Sequence, residues 1–599
     1  MTSKDAQMLR RIHGLLTRRE RLQVLGFLVL MLIGATLEVV GVSLVLPFIQ
    51  IISTPEIIQT NNWLSRVYLF LQFESERSFL VGVGLLLLFV YFAKNLFFLG
   101  FYHLQNQFLR VKKVALAKEM MSFYMRMPYS HHLNHNTNQI VYNMHTATRL
   151  VDAVLLSLMI IVTELTVMGV ILTLLFVIQP VTTVLAILIV GGAAVGLYKL
   201  IRKKIASYTA RQFVHSVKVT KTLYEALGGI KEIKVLGRED HFIRTYIEHY
   251  NAEAALSQYT NTVNQAPRLF MEMILVGGVM AFVTAVLLTN QPTAGLIPSL
   301  ALFAVAALRL MPSVNRVLVS TIMYRQGSDF VGLVDENIKD IRQVSLPAVD
   351  ERSGNSFKFD REIELRGLTY QYGGVERPAV DGVSLTITKG QSVAFVGQSG
   401  AGKTTIVDVM LGLLSPTKGA IYVDGVDVAS QLAGWQRKLG YIPQQIYLAD
   451  DTVRRNIAFG VDDAEIDDKR IWEALEGAQL ASFIRTLPEG LNTVVGERGV
   501  RLSGGQRQRI GIARCLYGDS EILIMDEATS ALDNETEQGV VQAIEKLTGT
   551  KTIIVIAHRL STVAKCQRLF FMNEGRVVDS GTFSQLLEKN RDFAQFAKV

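Results

Sequence analysis

Cysteine is almost missing from this 599-residue chain, and proline and charge are scarce. The two cysteines, Cys515 and Cys566, are too few to staple a secreted scaffold and have no CxxC spacing for zinc, so they point to a reducing compartment for the part that holds them. Thirteen prolines and 19% charged residues exclude a disordered, collagen-like or low-complexity chain. Apolar residues fill the gap. At 49% of the sequence and with a positive mean hydropathy, they exceed what a soluble protein carries, and the length exceeds one domain. The chain therefore reads as part membrane, part soluble. A formal charge of +8 suits nucleic acid in principle, but in so hydrophobic a chain Lys and Arg belong at the cytoplasmic face of a bilayer.

Apolar runs cover 22–48, 79–102, 154–178, 181–200, 269–288 and 295–318, which predicts six transmembrane helices within residues 1–325. The first is too long for a signal peptide core and has no small-residue cleavage site, so it should stay as an anchor. Positive charge orients the spans. Six Lys/Arg precede the first span, six lie in 104–153 and twelve in 199–268, whereas 51–78 holds two Arg against three Glu. Both termini are thus expected in the cytoplasm. The two long cytoplasmic connections lack Gly, Pro and Ser clusters and should be helical stalks, with tips near 129–139 and 225–240. Residues 326–356 form a linker, and an α/β domain fills 357–599, where β-branched runs such as SVAFVG, EILIMDE and TIIVIAH alternate with helical stretches.

The soluble half carries nucleotide chemistry. GQSGAGKTT, from Gly397 through Gly400, Gly402, Lys403 and Thr404 to Thr405, matches the phosphate-binding loop G-x-x-x-x-G-K-[ST] between a strand and a helix. Its backbone N–H groups would cradle phosphates, Lys403 would neutralise their charge, and Thr404 would offer a hydroxyl to Mg²⁺. EILIMDE ends in Asp526, placed to hold Mg²⁺, and Glu527, placed to orient and deprotonate the attacking water.

Between these lies RLSGGQRQRIGIAR, which resembles the signature of ABC ATPases. The remaining motifs follow in that family's order, and the resemblance implies their roles: Tyr372 stacks on adenine, Gln444 in YIPQQ senses Mg²⁺, GERG at 496–499 and SALD at 530–533 face a second subunit, and His558 contacts the γ-phosphate. It also implies that Ser503 and Gly505 complete the partner's site. With one motif set and six spans, the chain resembles an ABC exporter half-transporter that pairs with itself, binds ATP and Mg²⁺, and sits in a bacterial inner membrane. The expected fold is an α-helical membrane domain fused to an α/β P-loop ATPase. The intact carboxylates argue against an ATP-gated channel, and the spans against a soluble ATPase acting on nucleic acid.

Charges inside spans point to substrate. Arg268, Arg309 and Arg316 lie in or beside the last two spans, and guanidinium forks doubled by symmetry suit a polyanionic head group. Glu272 stands one turn from Arg268 as a possible partner, and Glu38, Lys94 and Glu164 are intramembrane as well. NNWLSRVYLFLQF predicts a short amphipathic helix on the outer face. With GGIKEIKVLGRE and RLMPSVNR it resembles the bacterial flippases of undecaprenyl-pyrophosphate-linked oligosaccharides used in protein N-glycosylation. The expected cargo is therefore a lipid-linked, pyrophosphate-bearing glycan, with multidrug, peptide or lipid A export as the alternative. The resemblance to ABC exporters implies that the tips near 129–139 and 225–240 are coupling helices that press on the ATPase; His131 and His135 in HHLNH have metal-like spacing but no third ligand nearby, which favours a coupling loop over a metal site.

Overall fold

The apolar runs and their breaks set the helices. The computed structural model describes residues 17–53, 62–70, 75–288 except 136, 138–139, 142, 145–147, 149–150, 179, 181–182 and 185–186, then 310–325, 327, 357–526, 542, 544–556 and 563–597. Its two units are Met1–Met127 with His135–Ser345, and Pro128–Asn134 with Leu346–Val599, so the first stalk tip sorts with the soluble residues.

The first unit is built from α1 (Arg18–Ser53), α2 (Asn62–Phe70) and α3 (Glu76–Arg126). The chain then runs through α4 (Tyr129–Asn134), which belongs to the other unit, to α5 (Ser157–Ile178), α6 (Gly192–Gly228), α7 (Ile230–Leu236), α8 (Glu239–Leu288) and α9 (310–325). At ~1.5 Å per residue, the 51 residues of α3 reach roughly 75 Å, more than twice the ~30 Å of hydrocarbon, so one helix is both span and stalk. Ser75 caps its start by accepting from the N–H of Ser78, and Met127 ends it in an extended conformation (ψ 144°), as a residue before proline favours. The second tip is cut by glycine. Gly228 and Gly229 close α6, and Gly237 (φ 60°) closes α7 while the Arg238 N–H returns to the Ile233 carbonyl at 3.0 Å.

Three helical segments, Arg18–Val45, Glu76–Arg126 and Val151–Ile178, are long and apolar enough to cross a membrane. The fourth expected span is represented by the shorter Ile187–Ile201, the fifth by the end of α8, and most of the sixth lies outside the described residues. Apolar side chains face outward on these helices: on α3, Leu85, Leu88, Phe89, Phe92 and Leu96 are all exposed. Charge is turned inward instead. Lys94 donates to Glu38 at 3.1 Å, both are buried, and the Tyr91 ring lies 4.2 Å from the ammonium. Glu38→Ala should leave a buried cation with its strongest partner gone, costing about 3–5 kcal/mol by the scale of buried pairs. Replacing both Glu38 and Lys94 with Leu should recover most of the loss in detergent melting temperature. Equal melting of the single and double variants would show that the pair carries no such coupling.

In the soluble unit, β1 (Glu362–Tyr370), β2 (Val380–Thr388), β4 (Lys418–Val423) and β5 (Val426–Asp427) form an antiparallel sheet in the order β2-β1-β4-β5. The main sheet contains β3 (Ser392–Gly397), β6 (Leu439–Ile442), β7 (Ile522–Asp526), β8 (Thr552–Ile556), β9 (Arg568–Asn573) and β10 (Arg576–Gly581) in the order β10-β9-β3-β8-β7-β6. Strands β3, β8, β7 and β6 are parallel neighbours, and β3, β7 and β8 are buried throughout, which explains their unbroken β-branched character. Parallel order brings their carboxyl ends to one edge, where ligands bind in α/β sheets.

Candidate nucleotide site and membrane charges

That edge assembles the nucleotide motifs. Gly397 ends β3 and Asp526 ends β7, with β8 between them; Asp526 pairs in register with Ile556, two residues before His558. Glu527 and His558 themselves lie outside the described residues, as do SALD and Arg309. The loop after β3 is shaped by space as well as by rotation. A Cβ on Gly397 would fall 2.2 Å from the Met572 carbonyl oxygen, and one on Gly402 (φ 94°) equally close to that of Ala379. Only glycine fits either position. The loop then feeds α10 (Lys403–Met410), so backbone N–H groups and a helix N-terminus converge on one point.

Lys403 is buried inside the loop and donates to the carbonyls of Gly397 and Gln398 at 2.8 and 2.9 Å. Thr404 is exposed, whereas Thr405 is buried with its hydroxyl 3.3 Å from that of Tyr372. Tyr372 is half-buried and packs edge-on against Tyr370, which holds its ring beside the loop. Gln444 stands exposed just past β6. The structure thus brings Tyr372, the phosphate-type loop and Asp526 to one edge of the sheet. The donor chemistry fits a magnesium nucleotide: Thr404, Asp526 and Gln444 could offer oxygens, and Lys403 with the loop positive charge.

Ser503 and Gly505 stand at the start of a different helix. Ser503 caps α11 (Gly504–Tyr517): its hydroxyl oxygen accepts from the Gln506 N–H at 3.2 Å, and its own N–H donates to the Gln506 side chain at 2.8 Å. This capping box uses the oxygen as acceptor and leaves the hydroxyl proton free to donate outward. Gly505 is buried in the first turn.

What anchors α11 comes from residues distant in the chain. Arg514 donates to the carbonyls of Asn456 and Tyr447 at 2.9 and 3.1 Å and lies over the Phe459 ring, while Arg509 donates to the Gln479 carbonyl at 3.0 Å. Burial lowers the pKa of both guanidinium groups without neutralising them. Cys515 on the same helix is buried, which pushes its thiol up to about 12 and leaves it inert at neutral pH.

Asp408 on α10 is a second residue that the motifs did not reveal. Desolvation, then the nearby Asp526 carboxylate, raises its pKa to about 6. The carboxylates of Asp408 and Asp526 also press the Tyr441 hydroxyl upward, behind a larger burial effect. Between 3.8 and about 6 the folded state binds more protons than the unfolded chain, so stability falls as pH rises through that window. In nucleotide-free protein, Asp408→Asn should raise the melting temperature at about pH 7.5 and change it little at about pH 4. An equal shift at both values would refute the coupling to titration.

In the first unit, Arg316 Nε lies 3.0 Å from Glu164 Oε1; the carboxylate is buried and the guanidinium partly exposed. The other oxygen, Glu164 Oε2, has no hydrogen-bond partner among the described residues. Arg268 is exposed, and no ion pair joins it to Glu272 among the described residues. Tyr198, Asn264 and Asn315 each present an enclosed polar atom with no hydrogen-bond partner there either. In an apolar helical unit, such atoms mark a polar interior.

Comparison with known proteins agrees with this geometry. Residues 380–530 match the family described as ABC transporter, and residues 23–309 the ABC transporter transmembrane region. An ATP-dependent lipid A-core flippase of Francisella tularensis (strain FSC 198) is 36% identical over 415 residues, 67% of this chain. The chain belongs to the ABC transporter family. Its helical membrane region is fused to an ABC ATPase domain. The match spans 66% of the Francisella protein's length. A heterocyst differentiation ATP-binding protein, HepA, of Nostoc sp. is 33% identical over 417 residues, 68% of this chain and 66% of its own. A bacterial Atm1-family ABC exporter with ATP bound shares the fold, with a TM-score of 0.74 at 24% identity over 96% of this chain and 98% of that one. The relatives named as lipid A-core flippases favour the lipid A alternative over the lipid-linked oligosaccharide that the sequence motifs suggested.

Proposed function

We propose that the chain is half of a homodimeric, ATP-driven flippase that moves a phosphate-bearing glycolipid of the lipid A-core class from the cytoplasmic to the outer leaflet. ATP hydrolysis at two equal composite sites drives it, with both termini and both ATPase domains in the cytoplasm. The observation that carries the ATPase part is the Ser503 cap: its oxygen accepts within the chain, and the exposed hydroxyl keeps its proton available to an acceptor on another molecule. A phosphate loop filled from its own chain needs a second donor surface, and an outward-facing helix N-terminus on a partner chain supplies one. Mg²⁺ held by Thr404, Asp526 and Gln444 would supply positive charge against the phosphates. Lys403 would hold the phosphates, and Glu527 would draw the proton from the attacking water.

The names of the relatives and the partly exposed Arg316 guanidinium beside the buried Glu164 carboxylate support a phosphorylated amphiphile. One observation favours a polyprenyl-pyrophosphate-linked glycan as the second reading. The end of α2 exposes Leu69 and Phe70 while Tyr68 packs against Phe79, which makes an apolar edge suited to a long isoprenoid chain. Reconstituted protein separates the two. Lipid A-core should stimulate ATP turnover and cross the bilayer in an ATP-dependent way, whereas stimulation by polyprenyl-pyrophosphate glycan alone would move the assignment to the second reading. Stimulation by neither would sink both.

A further inference from the structure

We propose that His215 and His249 form a two-imidazole site for a divalent transition-metal ion, joining α6 to α8 and independent of the ATP machinery. The two rings face each other across the helix pair with centroids 5.6 Å apart and planes tilted by 55°. Farther along the same pair Tyr208 and Tyr259 meet at 4.4 Å, so numbers rise on one helix as they fall on the other and the helices run antiparallel. His215 precedes the Gly228 break by 13 residues, which places the pair roughly 20 Å from the tip at ~1.5 Å per residue.

The spacing is that of a shared ion. Zinc-to-imidazole bonds of about 2.0–2.1 Å at an open tetrahedral angle leave the two ring centres roughly 5–6 Å apart. The nitrogens are available as well. Nδ1 of His215 and Nδ1 of His249 are both enclosed, and neither has a hydrogen-bond partner among the described residues. A histidine kept only for packing normally spends an enclosed nitrogen on a carbonyl, carboxylate or hydroxyl, because an unmade bond there is costly. Two orphaned nitrogens on facing rings instead resemble a ligand pair.

Among the described residues no third His, Cys or carboxylate completes the group. Water would fill the remaining positions, which makes the site exchangeable. Imidazole donors select zinc, nickel, cobalt or copper over Mg²⁺ and Ca²⁺, so the magnesium that accompanies ATP does not compete. An ion there would tie two long helices at mid-stalk and resist their sliding past one another.

The test uses the full-length protein in detergent, stripped with a chelator and titrated with Co²⁺ in excess Mg²⁺, with the cobalt absorption as the readout. Wild type should bind one Co²⁺ per chain. His215→Ala and His249→Ala should each lose it or weaken it by roughly tenfold or more, since a ligand matters at least as much as the groups that orient one. His131, His132 and His135 are unchanged in these variants, so ions held there cancel in the comparison. His215→Cys retains a ligand and should bind Co²⁺ with a thiolate charge-transfer band, which decides the matter even where an alanine variant folds poorly. Equal stoichiometry and affinity in wild type and the alanine variants would make the ion adventitious. Absence of the thiolate band in folded His215→Cys would reduce the pair to packing. Either result overturns the proposal.

Discussion

Glu527→Gln should bind ATP normally yet turn it over at least about 10²-fold more slowly, as expected when a positioned general base is lost. The reason lies in the strand before it. β7 is buried along its whole length and parallel to β8 and β6, so the direction in which it delivers Asp526, the residue before Glu527 in sequence, is fixed by the sheet. A glutamine there keeps the shape and hydrogen bonding but cannot accept the proton of the attacking water. Lys403→Ala should fail at an earlier step. Its ammonium sits inside the loop against the Gly397 and Gln398 carbonyls, so removing it deletes the positive charge that phosphates would meet and weakens nucleotide binding itself. Equilibrium binding of a fluorescent ATP analogue, set beside steady-state phosphate release, separates the two. Near-normal turnover by Glu527→Gln would overturn the assignment of the base.

The motifs were legible because local rules produce them. A phosphate loop needs glycine at Gly397 and Gly402 for reasons of contact and rotation, and those needs leave a pattern that can be read in one dimension. Ser503 and Gln506 were legible as a helix start for the same reason, since a capping box closes within three residues. The stalk tips were legible because Pro128, Gly229 and Gly237 interrupt long helices by simple backbone rules. What could not be read was pairing at a distance. Glu38 and Lys94 are 56 positions apart, and nothing in either neighbourhood says that they meet. Asp408 looks like an ordinary polar residue on a helix until the sheet order brings Asp526 near it. Arg514 and Arg509 sit in the stretch that carries the signature, yet the carbonyls that hold them come from Asn456, Tyr447 and Gln479. The first tip, at Pro128–Asn134, was expected as a coupling helix that presses on the ATPase, and the structure groups it with the soluble unit. Within that unit the Tyr129 hydroxyl is raised chiefly by burial and then by the nearby Asp408 and Tyr372.

Arg309→Ala combined with Arg316→Ala should abolish substrate-stimulated ATP turnover and flipping while leaving basal turnover intact, if these guanidinium groups grip a phosphorylated head group. Each lost charge-assisted contact is worth about 1.5–3 kcal/mol, or roughly 10- to 150-fold in binding, and two-fold symmetry doubles the number lost. The structure adds a confounding term that the sequence did not reveal. Arg316 stands 3.0 Å from Glu164, whose carboxylate is buried, so Arg316→Ala also strands a negative charge inside an apolar unit. That alone would lower the stability of the variant. Glu164→Gln resolves the ambiguity, because it removes the stranded charge at almost constant shape. In the Glu164→Gln background, Arg316→Ala should melt close to its parent, and any remaining loss of stimulation then belongs to the substrate. Arg316→Lys in that background should recover only part of the stimulation, since an ammonium keeps the charge but loses the planar fork. A structural Arg316 would show the opposite pattern: Glu164→Gln would restore both the melting temperature and the stimulated turnover of Arg316→Ala. Full stimulation in the folded triple variant lacking Arg309, Arg316 and the Glu164 charge would remove the arginines from the substrate path and return the phosphorylated glycolipid to an open question.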